Sequence, residues 1–89
     1  MLEIKNTVRF KKDLKKFKHQ QHVLTELDKV LKALIKQELL DQKYLDHPLS
    51  GNWVGHRECH IKPDTLLIYK IGEGKLFLER IGSHAELFK

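Results

Sequence analysis

The sequence predicts an α+β fold: a strand, two helices, then a three-stranded antiparallel meander, with the helices packed on one face of a small sheet. Three observations lead there. Apolar residues recur at helical spacing only before Pro48. After it they fall in short runs of alternating or β-branched texture. Those later runs are separated by turn residues, too few for a crossover between parallel strands. A chain of 89 residues gives one domain, 1–89.

Each element has its own warrant. In "LEIKNTV", Leu2 and Ile4 alternate with polar residues, which predicts a strand, and Thr7 is suited to cap a helix after it. In "RFKKDLKKFK", Phe10, Leu14 and Phe17 recur at spacings of four and three, giving a short amphipathic helix with a basic outer face. "HQQH" is a polar break. From His22 to about Leu40, the residues Val23, Leu27, Val30, Leu31, Leu34 and Ile35 keep a helical stripe, and Pro48 forbids continuation. "NWVGHRECHI" predicts a strand, with Trp53 as a core anchor and Cys59 as a small buried filler. "KPD" is a turn, "TLLIYKI" a strand, "GEG" a turn and "KLFLERIG" the last strand. The face of the sheet away from the helices is expected to stay open.

Composition narrows the function. Apolar residues make up 40% of the chain and charged residues 33%, as in a globular domain. A single cysteine excludes an intramolecular disulfide and fits a reducing cytoplasm. "MLEIKNTVRFKK" lacks the apolar core of a secretory signal, and the run "LLIY" is too short to cross a bilayer, so no membrane partner is expected. The net charge is +5, and six of the 17 Lys and Arg residues crowd into "RFKKDLKKFK" beside one acid, Asp13. Such a field favours RNA, DNA or an acidic protein, although a solvated helix face has the same composition.

The candidate chemistry lies in the second half. His56 and His60 have H-x-x-x-H spacing, but on a strand four residues span about 13 Å, too far for two rings to share one ion. The acids after His47 (Glu58, Asp64, Glu73, Glu79 and Glu86) form no recognisable cluster for divalent ions. No metal or other cofactor is therefore expected. Metal-free RNA cleavage needs a base for the 2′-hydroxyl, an acid for the leaving 5′-oxygen and a cation at the phosphoryl oxygens. His47, His60, His84, Asp64, Arg57 and Arg80 supply such groups, and Trp53, Tyr69 and Phe88 offer stacking surfaces. A non-catalytic RNA- or DNA-binding regulatory module and a basic interaction protein are the alternatives.

The motifs "DHPLSGNWVGHRECHIKPD", "LLIYK" and "ERIGSHAELF" together resemble the YafQ-type toxins of the RelE superfamily, small bacterial proteins of toxin–antitoxin pairs. The resemblance is strongest over residues 46–88 and extends loosely over the rest. It implies a small antiparallel sheet on two helices and a metal-independent endoribonuclease that cuts messenger RNA, typically on the translating ribosome. It also implies a cognate antitoxin that wraps the toxin, which would be a monomer alone and a hetero-oligomer with its antitoxin. The family's active-site positions fall on His47, His60, Asp64, Arg80 and His84, and its terminal aromatic on Phe88. His84 is then the proton-transfer group and Arg80 the charge stabiliser, while His47, His60 and Asp64 position RNA and share the acid–base work. Thr65 stands where relatives carry tryptophan, which bears on nucleotide preference. His56 replaces a common tyrosine and is assigned no catalytic role. Lys89 replaces a small terminal residue. Arg57 and the basic helix residues Lys11, Lys12, Lys15 and Lys16 are expected to contact RNA, including ribosomal RNA.

Overall fold

The computed structural model describes residues 1–88, so the expectation for Lys89 lies outside the described residues. The element order is β1 (Glu3–Asn6), α1 (Val8–Lys15), α2 (Gln21–Ile35), β2 (His47–Pro48), β3 (Arg57–Lys62), β4 (Thr65–Gly72), β5 (Lys75–Gly82) and α3 (His84–Leu87). The strand–helix–helix–meander order is as the sequence predicts, in an α+β fold. The sheet has five strands in the order β1-β5-β4-β3-β2. β3, β4 and β5 form the antiparallel meander, and β1 joins its far edge parallel to β5, with Ile4 opposite Leu76.

Local rules account for the boundaries. The Thr7 hydroxyl accepts from Phe10 N at 3.2 Å and starts α1. α2 stops at Ile35 rather than near Leu40, because Gln37 turns left-handed (φ 57°). The Ile35 carbonyl then accepts from Leu2 N at 2.9 Å, which ties the helix end to the start of β1. Pro63–Asp64 and Glu73–Gly74 make the two hairpin turns, the latter with positive φ at both residues (54° and 74°), as a type I′ turn requires.

The helices cover one face. Phe10, Val23, Leu27, Val30 and Leu34 pack against Cys59, Ile61, Leu67, Tyr69, Leu76, Leu78 and Ile81. Cys59 is fully buried, as expected of a filler, and its burial pushes the thiol pKa up. Two expectations need correction. The segment "NWVGHRECHI" is strand only from Arg57; Gly51–Trp53 forms a single 3-10 turn, and Gly51 and Gly55 both take positive φ (66° and 87°). The chain thus loops from Leu49 to His56, closed by Leu49 N donating to the His56 carbonyl at 2.9 Å. Nor is the second face bare. The loop and the unforeseen α3 cover part of it, where Leu49, Trp53, Leu87 and Phe88 pack on Leu66 and Ile68. Trp53 is an anchor, but a half-buried one on this second face.

Candidate active site

Strand alternation sorts the polar residues. Leu66 and Ile68 belong to the second face, and direct cross-strand partners point the same way. One row across the sheet therefore reads His47, Glu58, Ile68, Arg80, and the next reads His60, Leu66, Gly82. Within each row the β3 and β5 positions, two strands apart, are about 10 Å apart. The chain leaves Gly82 into α3, whose Leu87 buries against Leu66 and Ile68, so His84 rides on this same face.

Glu58 organises the β3 side. Its side chain is buried and lies between two imidazoles, with Oε1 3.6 Å from His47 Nε2 and 3.3 Å from His60 Nε2. The rings stand 6.4 Å apart. His47 Nδ1 lies 2.6 Å from the Leu45 carbonyl. If His47 is neutral, that contact fixes its proton on Nδ1. Sequence reasoning leaves Glu58 as one scattered acid. The signal that could have found it is its i, i+2 spacing from His60, which puts both on one face of a strand.

Arg80 occupies the β5 side. Its Nε donates to Asp13 Oδ2 at 2.6 Å and its Nη2 to Asp13 Oδ1 at 3.1 Å. Those hydrogen bonds raise the guanidinium pKa further, so the charge is permanent. A cleft of about 640 Å³ opens here, lined by Arg9, Asn52, Trp53, His56, Arg80, Glu86 and Leu87. His56 is not the plain strand residue expected. It precedes β3, meets Trp53 edge-on at 5.1 Å and places Nε2 3.3 Å from Glu79 Oε2.

His84 is exposed, and its ring lies against Phe88 at 4.9 Å. A reciprocal capping box builds the short α3: Glu86 N donates to Ser83 Oγ at 3.2 Å, and Ser83 N donates to Glu86 Oε1 at 2.9 Å. These bonds, the Ser83 backbone first, hold the Glu86 carboxyl below its usual range. Asp64 is exposed in the β3–β4 turn.

Arg57 is not with the others. It alternates to the helix-covered side and pairs with Asp46 at 3.3–3.4 Å, which also accepts from Tyr69 Oη at 2.6 Å. Lys11, Lys12 and Lys15 are exposed on α1, and Lys16, exposed at its C-cap, lies 3.4 Å from Glu86 Oε2. Among the described residues, no group of three or more His, Cys, Asp or Glu is arranged to hold a metal ion, and no helix is long and apolar enough to cross a membrane.

Comparison with known proteins agrees with this architecture. Residues 2–89 match the family model of a bacterial toxin of type II toxin–antitoxin systems, YafQ. The chain is 38% identical to the mRNA interferase toxin YafQ of Escherichia coli K12, over 97% of its own length and 95% of the relative's. A copper-bound mutant toxin from Helicobacter pylori superposes with a TM-score of 0.93 at 42% identity, covering 99% of this chain and 100% of that one. YafQ in the Escherichia coli DinJ–YafQ complex gives 0.88 at 36% identity, with 100% of both chains covered. This chain belongs to the YafQ family of bacterial type II toxin–antitoxin toxins.

Proposed function

We propose that the chain is an mRNA interferase, an endoribonuclease that cuts messenger RNA without a metal and is neutralised by a cognate antitoxin. The observation that carries the reading is the second sheet face, where His47, Glu58 and His60 meet at one end of the cross-strand rows and Arg80 and His84 stand at the other. A base removes the proton from the RNA 2′-hydroxyl, and that oxygen bonds to the adjacent phosphorus. The bond to the 5′-oxygen breaks, and an acid returns a proton to it. His84, exposed on α3, is the proton-transfer group at the scissile phosphate. Arg80 offsets the charge that builds on the phosphoryl oxygens. His47 and His60, on either side of the Glu58 carboxylate, position the RNA and share the acid–base work with Asp64. Phe88 offers a ring beside His84 for base stacking.

The exposed lysines of α1 suit the phosphates of ribosomal RNA, and an acidic antitoxin segment would compete for them. The Escherichia coli relative has been solved with DinJ, its partner in that complex. Arg57, committed to Asp46, serves the fold rather than RNA.

The test incubates the protein with mRNA in EDTA, with and without ribosomes. Cleavage leaving a cyclic or 3′-phosphate end is expected, with DNA untouched because it lacks the 2′-hydroxyl nucleophile. His84→Ala should slow cleavage by roughly 10²–10⁴-fold. RNA binding without any cutting would favour the regulatory binding module instead.

A further inference from the structure

We propose that Asp13 is a positioning residue for Arg80: from α1 it fixes the guanidinium that faces the scissile phosphate. The inference rests on the ribonuclease reading above.

Asp13 is out of place by pattern. It lies beside Phe10, Leu14 and Phe17 on the apolar stripe of α1, and its side chain is only 8% exposed. A carboxylate there needs partners, and it has three: Arg80 Nε at 2.6 Å, Arg80 Nη2 at 3.1 Å and Ile81 N at 3.1 Å. The site of these contacts follows from the topology. β1 leaves the edge of β5 after Asn6, opposite Leu78, and the Leu78 carbonyl takes Thr7 N and Oγ1 instead. Beyond that point no strand among the described residues covers the outer edge of β5, and the Asp13 carboxylate receives the Ile81 N–H.

The same carboxylate thus reads the β5 backbone and the Arg80 side chain together. The contact through Ile81 N fixes the carboxylate relative to the strand. The side-on fork through Nε and Nη2 then fixes the plane of the guanidinium relative to the carboxylate. Nη1 makes no hydrogen bond among the described residues, so three of the five N–H donors, two on Nη1 and the second on Nη2, remain for a phosphate. A guanidinium already held in place needs little reorganisation as charge develops on the phosphate. A plain helix staple would need neither the bidentate fork nor a shared backbone contact.

The test measures single-turnover cleavage of ribosome-bound mRNA by wild type, D13N, R80K and the double variant D13N/R80K, with R80A as a control on the ribonuclease reading. Asn keeps an oxygen for Ile81 N–H, but its NH₂ faces Arg80 Nη2 donor to donor. D13N should lower the rate at saturation about ten- to a hundredfold, with the half-saturating concentration unchanged. In R80K there is no fork to orient, so adding D13N should cost at most about twofold more. The Arg80 Nε–H resonance in ¹H–¹⁵N spectra should shift in D13N while the backbone spectrum away from α1 and β5 is retained. Equal losses in the Arg80 and R80K backgrounds would make Asp13 merely structural and overturn the proposal. So would full activity of D13N beside an impaired R80A. Full activity of R80A would instead defeat the assignment of Arg80, and the proposal with it. If D13N does not fold, D13E carries the same cycle, since its extra methylene displaces the fork.

Discussion

The two faces of the sheet are built from the same strands and do different work. On the helix side, Cys59, Leu67, Tyr69, Leu78 and Ile81 are all at most 1% exposed beneath α1 and α2. On the other side, Leu66 and Ile68 are also buried, but under a thin cover of Leu49, Trp53, Leu87 and Phe88. Around that small apolar patch stand His47, Glu58, His60 and Arg80. The difference teaches what a period of two achieves in a short chain. One residue of a strand buries area for stability, and the next presents chemistry. The thin patch also holds down the loop after His47 and the helix that carries His84.

Paired substitutions break or sharpen this contrast. His60→Ala, on the chemical face, should slow cleavage by roughly 10²-fold or more. It should shift stability by less than about 1 kcal/mol, as read by denaturant titration. Leu67→Ala, on the opposite face of β4, should cost about 2–5 kcal/mol of stability, with the active fraction still cutting at the native rate. If the two variants lost stability equally, the division of labour between faces would be wrong. Trp53→Ala tests the patch between these extremes. Its ring is half-buried, so its stability cost should fall below the ~3–5 kcal/mol of a fully buried aromatic. It should also slow cleavage, because the loop that follows His47 loosens. The smallest effect concerns α3. Glu86 has a lowered pKa in the folded protein, against an ordinary value of 4.5. Its contribution is therefore complete above about pH 4.5 and disappears as the pH falls through the folded value. Glu86→Gln should remove that part of the acid-side slope, and Ser83→Ala should fray α3 at a cost near ~1 kcal/mol. Amide exchange at Leu87 and Phe88 reads both.

Much of this is legible in the chain. The helical stripes of α1 and α2 and the turn residues at Pro63–Asp64 and Glu73–Gly74 encode local geometry directly. The motifs around His47, His60, Arg80 and His84 point to the family that the comparisons show. What sequence does not supply is pairing at a distance. Glu58 looks scattered because its partner His47 comes from another strand, on the far side of a loop. Asp13 carries a signal, an acid on an apolar stripe, but its partner Arg80 lies 67 residues away. Arg57 and Glu58 are neighbours, and only the register of β3 against β4 shows which of them faces the helices. The capping box of α3 is visible as Ser83 and Glu86, yet four helical residues give no periodicity to detect.

Cys59 has a use beyond filling space. It is the chain's one thiol, fully buried, and it lies between Glu58 and His60 on β3. A thiol reagent can reach it only when the sheet parts from its helices. Its labelling rate is therefore a native clock for that opening, set beside the candidate catalytic cluster and needing no engineered probe. Run with and without a bound antitoxin, it would tell whether neutralisation blocks the face or also tightens the fold beneath it.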